Sequence, residues 1–129
     1  MKPREIPAEA LRRFVVLRHI DREGDHFDLM IESGERLATW KFPDFPGAGD
    51  VGQSCRRIGE HRKLYLEYEG PISGDRGVVD RQDSGECRIE ESLGDRWVVE
   101  FFGGRLAGEF ELVQSSSKGD VWVFRRAGM

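Results

Sequence analysis

The chain has 129 residues and a mass of 14.8 kDa, enough for one domain that buries roughly two-thirds of its unfolded surface and too little for a two-domain enzyme. With 24 acidic against 20 basic residues, a formal charge of -4 and a pI near 5.4, the overall field does not draw the protein onto a polyanion, so any nucleic-acid contact has to be local. No run of 18 apolar residues occurs, and the charged opening MKPREIPAEALRR lacks the apolar core of a signal peptide, which points to a soluble, cytoplasmic protein with no membrane attachment.

One helix is predicted, from Pro7 to Arg13, where proline opens and Ala-Glu-Ala-Leu-Arg-Arg propagates. From Phe14 onward, short runs rich in Val, Ile, Phe, Tyr and Trp alternate with turn formers, the pattern of antiparallel strands. The predicted strands are Phe14 to Arg18, Phe27 to Glu32, Leu37 to Lys41, Leu64 to Glu69, Gly77 to Arg81, Cys87 to Glu91, Trp97 to Phe102, Leu106 to Val113 and Val121 to Arg125. Turns are marked by Ser33-Gly34, Gly70-Pro71, Ser84-Gly85, Gly94-Asp95, Gly103-Gly104 and Lys118-Gly119-Asp120. The segment Pro43 to Glu60, with two prolines and four glycines, reads as a long functional loop. So many short strands in one small domain favour a mostly β fold, a closed or nearly closed antiparallel β-barrel spanning residues 1–129, because closure removes exposed edges. Cys55 and Cys87 stand 32 positions apart without a Cys-x-x-Cys spacing, so two reduced thiols are expected rather than a disulfide or zinc site.

Histidine is scarce, with His19, His26 and His61 the only three. On a strand from Phe27 to Glu32 the period of two places Phe27, Leu29 and Ile31 on one face, and His26, Asp28, Met30 and Glu32 on the other. A hairpin across the seven-residue step from His19 would bring that imidazole beside His26 and Asp28. Two imidazoles and a carboxylate suit a divalent transition ion in Lewis-acid work. The same spacing is met by a hydrogen-bonded surface pair next to a solvated acidic turn of Asp21, Glu23 and Asp25. A second cluster, Arg56-Arg57-Ile-Gly-Glu-His61-Arg62-Lys63-Leu-Tyr65, holds four cations within eight positions. It is either a phosphate-binding patch with His61 and Tyr65 as donors, or a basic loop leading into a strand on which Tyr65 packs.

Taken together, Phe14-Val-Val-Leu-Arg-His19, His26-Phe-Asp28-Leu-Met-Ile-Glu32, Thr39-Trp40-Lys-Phe-Pro43, His61 with Tyr65, Tyr68-Glu69-Gly70-Pro-Ile, and Phe101, Gly103, Leu106, Gly108, Phe110, Leu112 and Trp122-Val-Phe resemble the 3′-phosphoesterase domain family of bacterial DNA ligase D, which also occurs as stand-alone proteins. The resemblance runs in one order from about Phe14 to Arg125. It implies a β-barrel with a catalytic crater, a manganese-type cofactor, and removal of a 3′-phosphate or 3′-ribonucleotide from a DNA or RNA-DNA primer end in repair by non-homologous end joining. It further implies His19, His26 and Asp28 as metal ligands, His61 and Tyr65 as the catalytic, phosphate-contacting pair, nucleic-acid 3′ ends as substrate, and a DNA ligase or polymerase of end joining as partner. Three departures mark a short, divergent branch. Met30 stands where family members carry a phosphate-clamping arginine, only 18 residues precede His19 where they carry a longer arm, and the step from His19 to His26 is one residue longer. Arg57, four positions before His61, is the expected replacement clamp. The alternative implied by these departures is a metal-binding module that has lost turnover and recognises nucleic-acid ends or a repair partner.

Overall fold

Period-two alternation of apolar residues is realised as antiparallel strands in a computed structural model that describes residues 11–48, 52–115 and 119–128. Nine strands are present among the described residues: β1 (Leu11–Asp21), β2 (Gly24–Ser33), β3 (Arg36–Phe42), β4 (Gln53–Arg62), β5 (Gly70–Pro71), β6 (Val78–Ser92), β7 (Arg96–Gly103), β8 (Ala107–Gln114) and β9 (Val121–Arg126). Their order is β1-β2-β3-β4-β9-β8-β7-β6, and β6 pairs back onto β1, so eight strands close an antiparallel barrel with the two-residue β5 added beside β6. The protein is mostly β, as the sequence predicts.

Every barrel strand contributes to one apolar interior, including Phe14, Leu29, Trp40, Cys55, Cys87, Val99, Phe110 and Phe124. Burial pushes both thiols up to about 12, so neither supplies a thiolate near neutral pH. A second apolar cluster lies on the outer face of β1, β2, β3 and β6, where Val15, Leu17, Met30, Leu37 and Val79 are covered by Leu66, Tyr65, Tyr68 and Ile72. The covering segment, residues 63–77, crosses the barrel wall as a strap and gives it a buried outer surface.

The elements depart from expectation in four places. Most of the helix from Pro7 to Arg13 lies outside the described residues, but Leu11 to Arg13 belong to β1, where they pair with Arg88 to Glu86. The loop from Pro43 to Glu60 ends at Gln53: β4 pairs with β3 on one side and β9 on the other, and barrel closure overrides its weak strand propensity. Leu64 to Glu69 is no strand; Lys63–Leu66 is a 3₁₀ turn in which the amides of Glu67 and Tyr68 donate to the Leu64 carbonyl at 3.1 and 3.0 Å. A short apolar run of this kind carries no periodicity that separates strand from helix. Finally, the two strands predicted around Ser84-Gly85 are one continuous β6. Glycine serves close approach there, since a Cβ on Gly85 would sit 2.7 Å from the Phe102 carbonyl oxygen.

Two β-bulges reset which side chains face the strap. Leu37 pairs with His61 but Thr39 pairs with Ile58, so β4 carries one extra residue; Leu17 pairs with Arg81 but Val16 with Asp83, so β6 carries another. Each insertion reverses the inward and outward alternation beyond it, and the outward sides of His61 and Val79 are set this way.

Candidate metal centre beneath the strap

In the β1–β2 hairpin His19 is the direct cross-strand partner of His26, and Leu17 is that of Asp28. His19, His26 and Asp28 therefore share the outer face at the end of the hairpin. His19 Nδ1 lies 3.1 Å from His26 Nε2 and 3.7 Å from Asp28 Oδ2, and His26 Nε2 lies 3.2 Å from Asp28 Oδ1. The imidazoles stand edge to face with centroids 4.6 Å apart. Asp28 is 3% exposed, and its Oδ1 has no hydrogen-bond partner among the described residues despite the nearby imidazole nitrogen.

Residue types and spacing fit a divalent cation. Donor atoms bound to one ion at about 2.1 Å stand about 3.0 Å apart for a right angle and about 3.4 Å apart in a tetrahedron. The two separations from His26, 3.1 and 3.2 Å, fall in that range, and that between His19 and Asp28, 3.7 Å, lies just beyond it. His19 Nε2 contacts the Arg76 carbonyl oxygen at 2.7 Å. A carbonyl only accepts, so in the neutral imidazole the proton is on Nε2 and the Nδ1 lone pair turns toward His26 and Asp28, the outer hydrogen bond expected of a metal-ligating histidine. A buried carboxylate with one imidazole nitrogen beside each oxygen and Oδ1 orphaned is electron-rich and costly unless a cation or proton is supplied.

Asp21 forms a set of its own with the two histidines. His19, Asp21 and His26 each offer a donor atom within 4.8 Å of the others. One reading of the spacing puts Asp21 in a solvated acidic turn; two residues after His19 on β1, it shares the histidine's face. The Glu23 amide, donating at 2.8 Å, and more weakly the two imidazoles hold its carboxyl below the usual range.

A cavity of about 90 Å³ adjoins the cluster and is lined by His19, Asp28, Met30, His61, Tyr65 and Arg76, together with apolar contacts from the strap. His61 Nδ1 contacts Thr39 Oγ1 at 3.0 Å, and that hydroxyl donates to the Leu37 carbonyl at 3.0 Å. The Thr39 proton being committed, its oxygen accepts from His61 Nδ1–H, which leaves Nε2 as the nitrogen available for proton exchange. Tyr65 packs edge to face on His61 at 5.8 Å and on Tyr68 at 6.0 Å. On the other side His26 and Asp21 border a larger depression of about 460 Å³ that also contains Lys41 and Arg56.

Arg57 is not with them. The bulge in β4 reverses the alternation between Arg57 and His61, so Arg57 shares the inward face of its partner Trp40, with its guanidinium 4.4 Å from that ring's centroid. The arginine that does border the small cavity is Arg76, which spacing did not single out because it lies in a turn; its carbonyl meets His19, and its Nε donates to the Ser73 carbonyl at 2.7 Å.

Gly77 seats the strap. At φ +92° it occupies the left-handed region, and a Cβ there would lie 2.1 Å from the Ile20 carbonyl oxygen. Gly77→Ala is expected to lift the strap from β1, cost about 2–3 kcal/mol in urea unfolding and weaken manganese binding, because the adjacent Arg76 carbonyl leaves His19. Unchanged stability and metal affinity in that variant would refute this role.

No helix among the described residues is long and apolar enough to cross a membrane. No family model matches the chain, and no curated protein matches it.

Proposed function

We propose that the protein is a metal-dependent phosphoesterase that acts at nucleic-acid 3′ ends, removing a 3′-phosphate or 3′-ribonucleotide to leave a 3′-hydroxyl. The observation that carries this is the convergence of His19, His26 and Asp28 beside a small cavity faced by His61, Tyr65 and Arg76. Five of these six, all but Arg76, were singled out from the sequence, by spacing and by resemblance, as candidate metal or phosphate ligands. The cavity is far below the roughly 300–1,000 Å³ of pockets that enclose a whole small molecule, which suits a terminal phosphoryl group.

His19, His26 and Asp28, with Asp21 at the rim, would hold the ion, and manganese is the first choice by resemblance. A divalent ion bound there supplies Lewis-acid polarisation of a phosphoryl oxygen. Arg76 orients His19 through its carbonyl, and Tyr65 offers the phosphate a hydroxyl donor. His61, fixed by Thr39 with Nε2 free, carries the proton. A water oxygen gives its proton to His61 Nε2 as it forms the new bond to phosphorus, the bond from phosphorus to the 3′ oxygen breaks, and the departing oxygen takes that proton back from Nε2. Lys41, in the larger depression, is placed for the remainder of the strand. Partnership with a ligase or polymerase of end joining belongs to the same proposal.

Met30 favours a second reading. It is 2% exposed and puts a thioether in the cavity wall, so a module that binds metal and nucleic-acid ends without turnover has its own support. One experiment separates the two: purified protein with manganese is incubated with primer-templates ending in a 3′-phosphate or a 3′-ribonucleotide. A 3′-hydroxyl product from either end, absent with chelator, is expected. Confirmed manganese binding with no product from either end would discard the enzyme in favour of the module.

A further inference from the structure

Strand pairing puts Arg57 toward the opposite end of the barrel from the β1–β2 hairpin tip, on the side of the β6–β7 and β8–β9 connections. Its guanidinium lies over Trp40 at 4.4 Å, Trp97 at 5.4 Å and Trp122 at 5.6 Å. Nearby arginines hold carboxylates, Arg56 with Asp120 at 3.0 Å and Arg96 with Glu111 at 2.9 Å. Arg57 has neither an ion pair nor a side-chain hydrogen bond among the described residues, although it is half-buried. Indole faces offset part of the cost of desolvating this charge and leave its N–H groups unsatisfied.

The geometry fits an incoming anion. A guanidinium stacked through its face still presents its N–H edge, the edge that binds an oxyanion in a bidentate way. Arg57 lines an open depression of about 610 Å³ with Ser92, Gln114 and the backbone at Gly94 and Gly119. Asp120 also borders it, but Arg56 grips that carboxylate at both oxygens, and Glu60 reaches Arg57 only through its field, so no carboxylate pairs with Arg57 among the described residues. We propose that this end of the barrel is an oxyanion-binding site, in which Arg57, held on the three indoles, receives the phosphate or carboxylate group of a ligand. The site stands apart from the metal cluster and does not depend on the proposed phosphoesterase activity.

All three tryptophans of the chain touch Arg57, so their emission reads the site directly. The full chain is titrated with inorganic phosphate and, separately, acetate, with chloride holding ionic strength constant. A saturable change in tryptophan emission with at least one of the two is expected, and the stronger response identifies the ligand class. Arg57→Gln should raise the midpoint by at least about tenfold, while His26→Ala leaves it unchanged. No response beyond that of chloride, an equal response in folded Arg57→Gln, or loss of the response in His26→Ala would each overturn the site. Should Arg57→Gln fail to fold, Arg57→Lys decides: it keeps a charge without the bidentate edge, and unaltered affinity in it would equally overturn the proposal.

Discussion

Replacing His26 by alanine is expected to lower manganese affinity by at least about 100-fold, since loss of an outer hydrogen-bonding partner alone costs about 10–100-fold. His26 Nε2 is the atom on which the cluster turns, 3.1 Å from His19 Nδ1 and 3.2 Å from Asp28 Oδ1. Without it one nitrogen is left, that of His19, with Asp28 3.7 Å away and Asp21 at the rim, a weaker set for a transition ion. The rise in melting temperature that manganese gives the wild-type protein should vanish, because that rise is the binding free energy expressed as stability. End-processing activity should be lost with it. The apo variant should fold at least as well as the wild type, since the mutation removes a polar ring beside a buried carboxylate and opens no hole in the barrel interior. Calorimetric titration with manganese and melting curves with and without the ion check both statements. Wild-type affinity in this variant would dismiss the cluster as a metal centre.

Trp40→Ala is expected to be the most destabilising single change in the barrel, at about 3–5 kcal/mol against a total of about 5–15 for a domain of this kind. Trp40 is fully buried, and its ring meets Trp97 at 5.1 Å and Trp122 at 5.7 Å, both edge to face. Removing it leaves a large cavity among strands that closure holds in place, so the walls cannot collapse to fill it. Arg57 would also lose its nearest indole and remain half-buried with less to offset its charge. Equilibrium urea unfolding measures the loss, and Trp40→Phe should recover a large part of it. A loss below about 1 kcal/mol would mean that the core is loosely packed around this residue.

Residue order alone carried the class of the fold. The alternation in β8 and β9 is regular because each packs one face on the common interior, and a half-buried strand writes that face into its sequence, whereas β1, β2 and β3 carry unbroken apolar runs because both of their faces are covered. The pairing of His19 with His26 was legible for the same reason: a tight hairpin makes cross-strand neighbours of residues close in the chain. Asp28 follows by the period of two.

The structure decided what a local period cannot encode. Met30, Leu37 and Val79 sit on outer faces yet are buried, because residues 63–77 return over the wall as a strap, a contact between parts of the chain far apart in sequence. His61 and Arg57, four apart, should share a face; one extra residue in β4 sends His61 to the strap and Arg57 to the tryptophans. Arg76 enters the cavity wall from a turn whose sequence carries no period at all. The sequence by itself determined a closed, mostly β chain and the two histidines and aspartate of one hairpin, since these depend on alternation and short-range pairing. Which faces are covered, which cations meet the site, and the inward turn of Arg57 were decided only by tertiary structure, because bulges and long-range packing set side-chain direction without a signature in the local pattern.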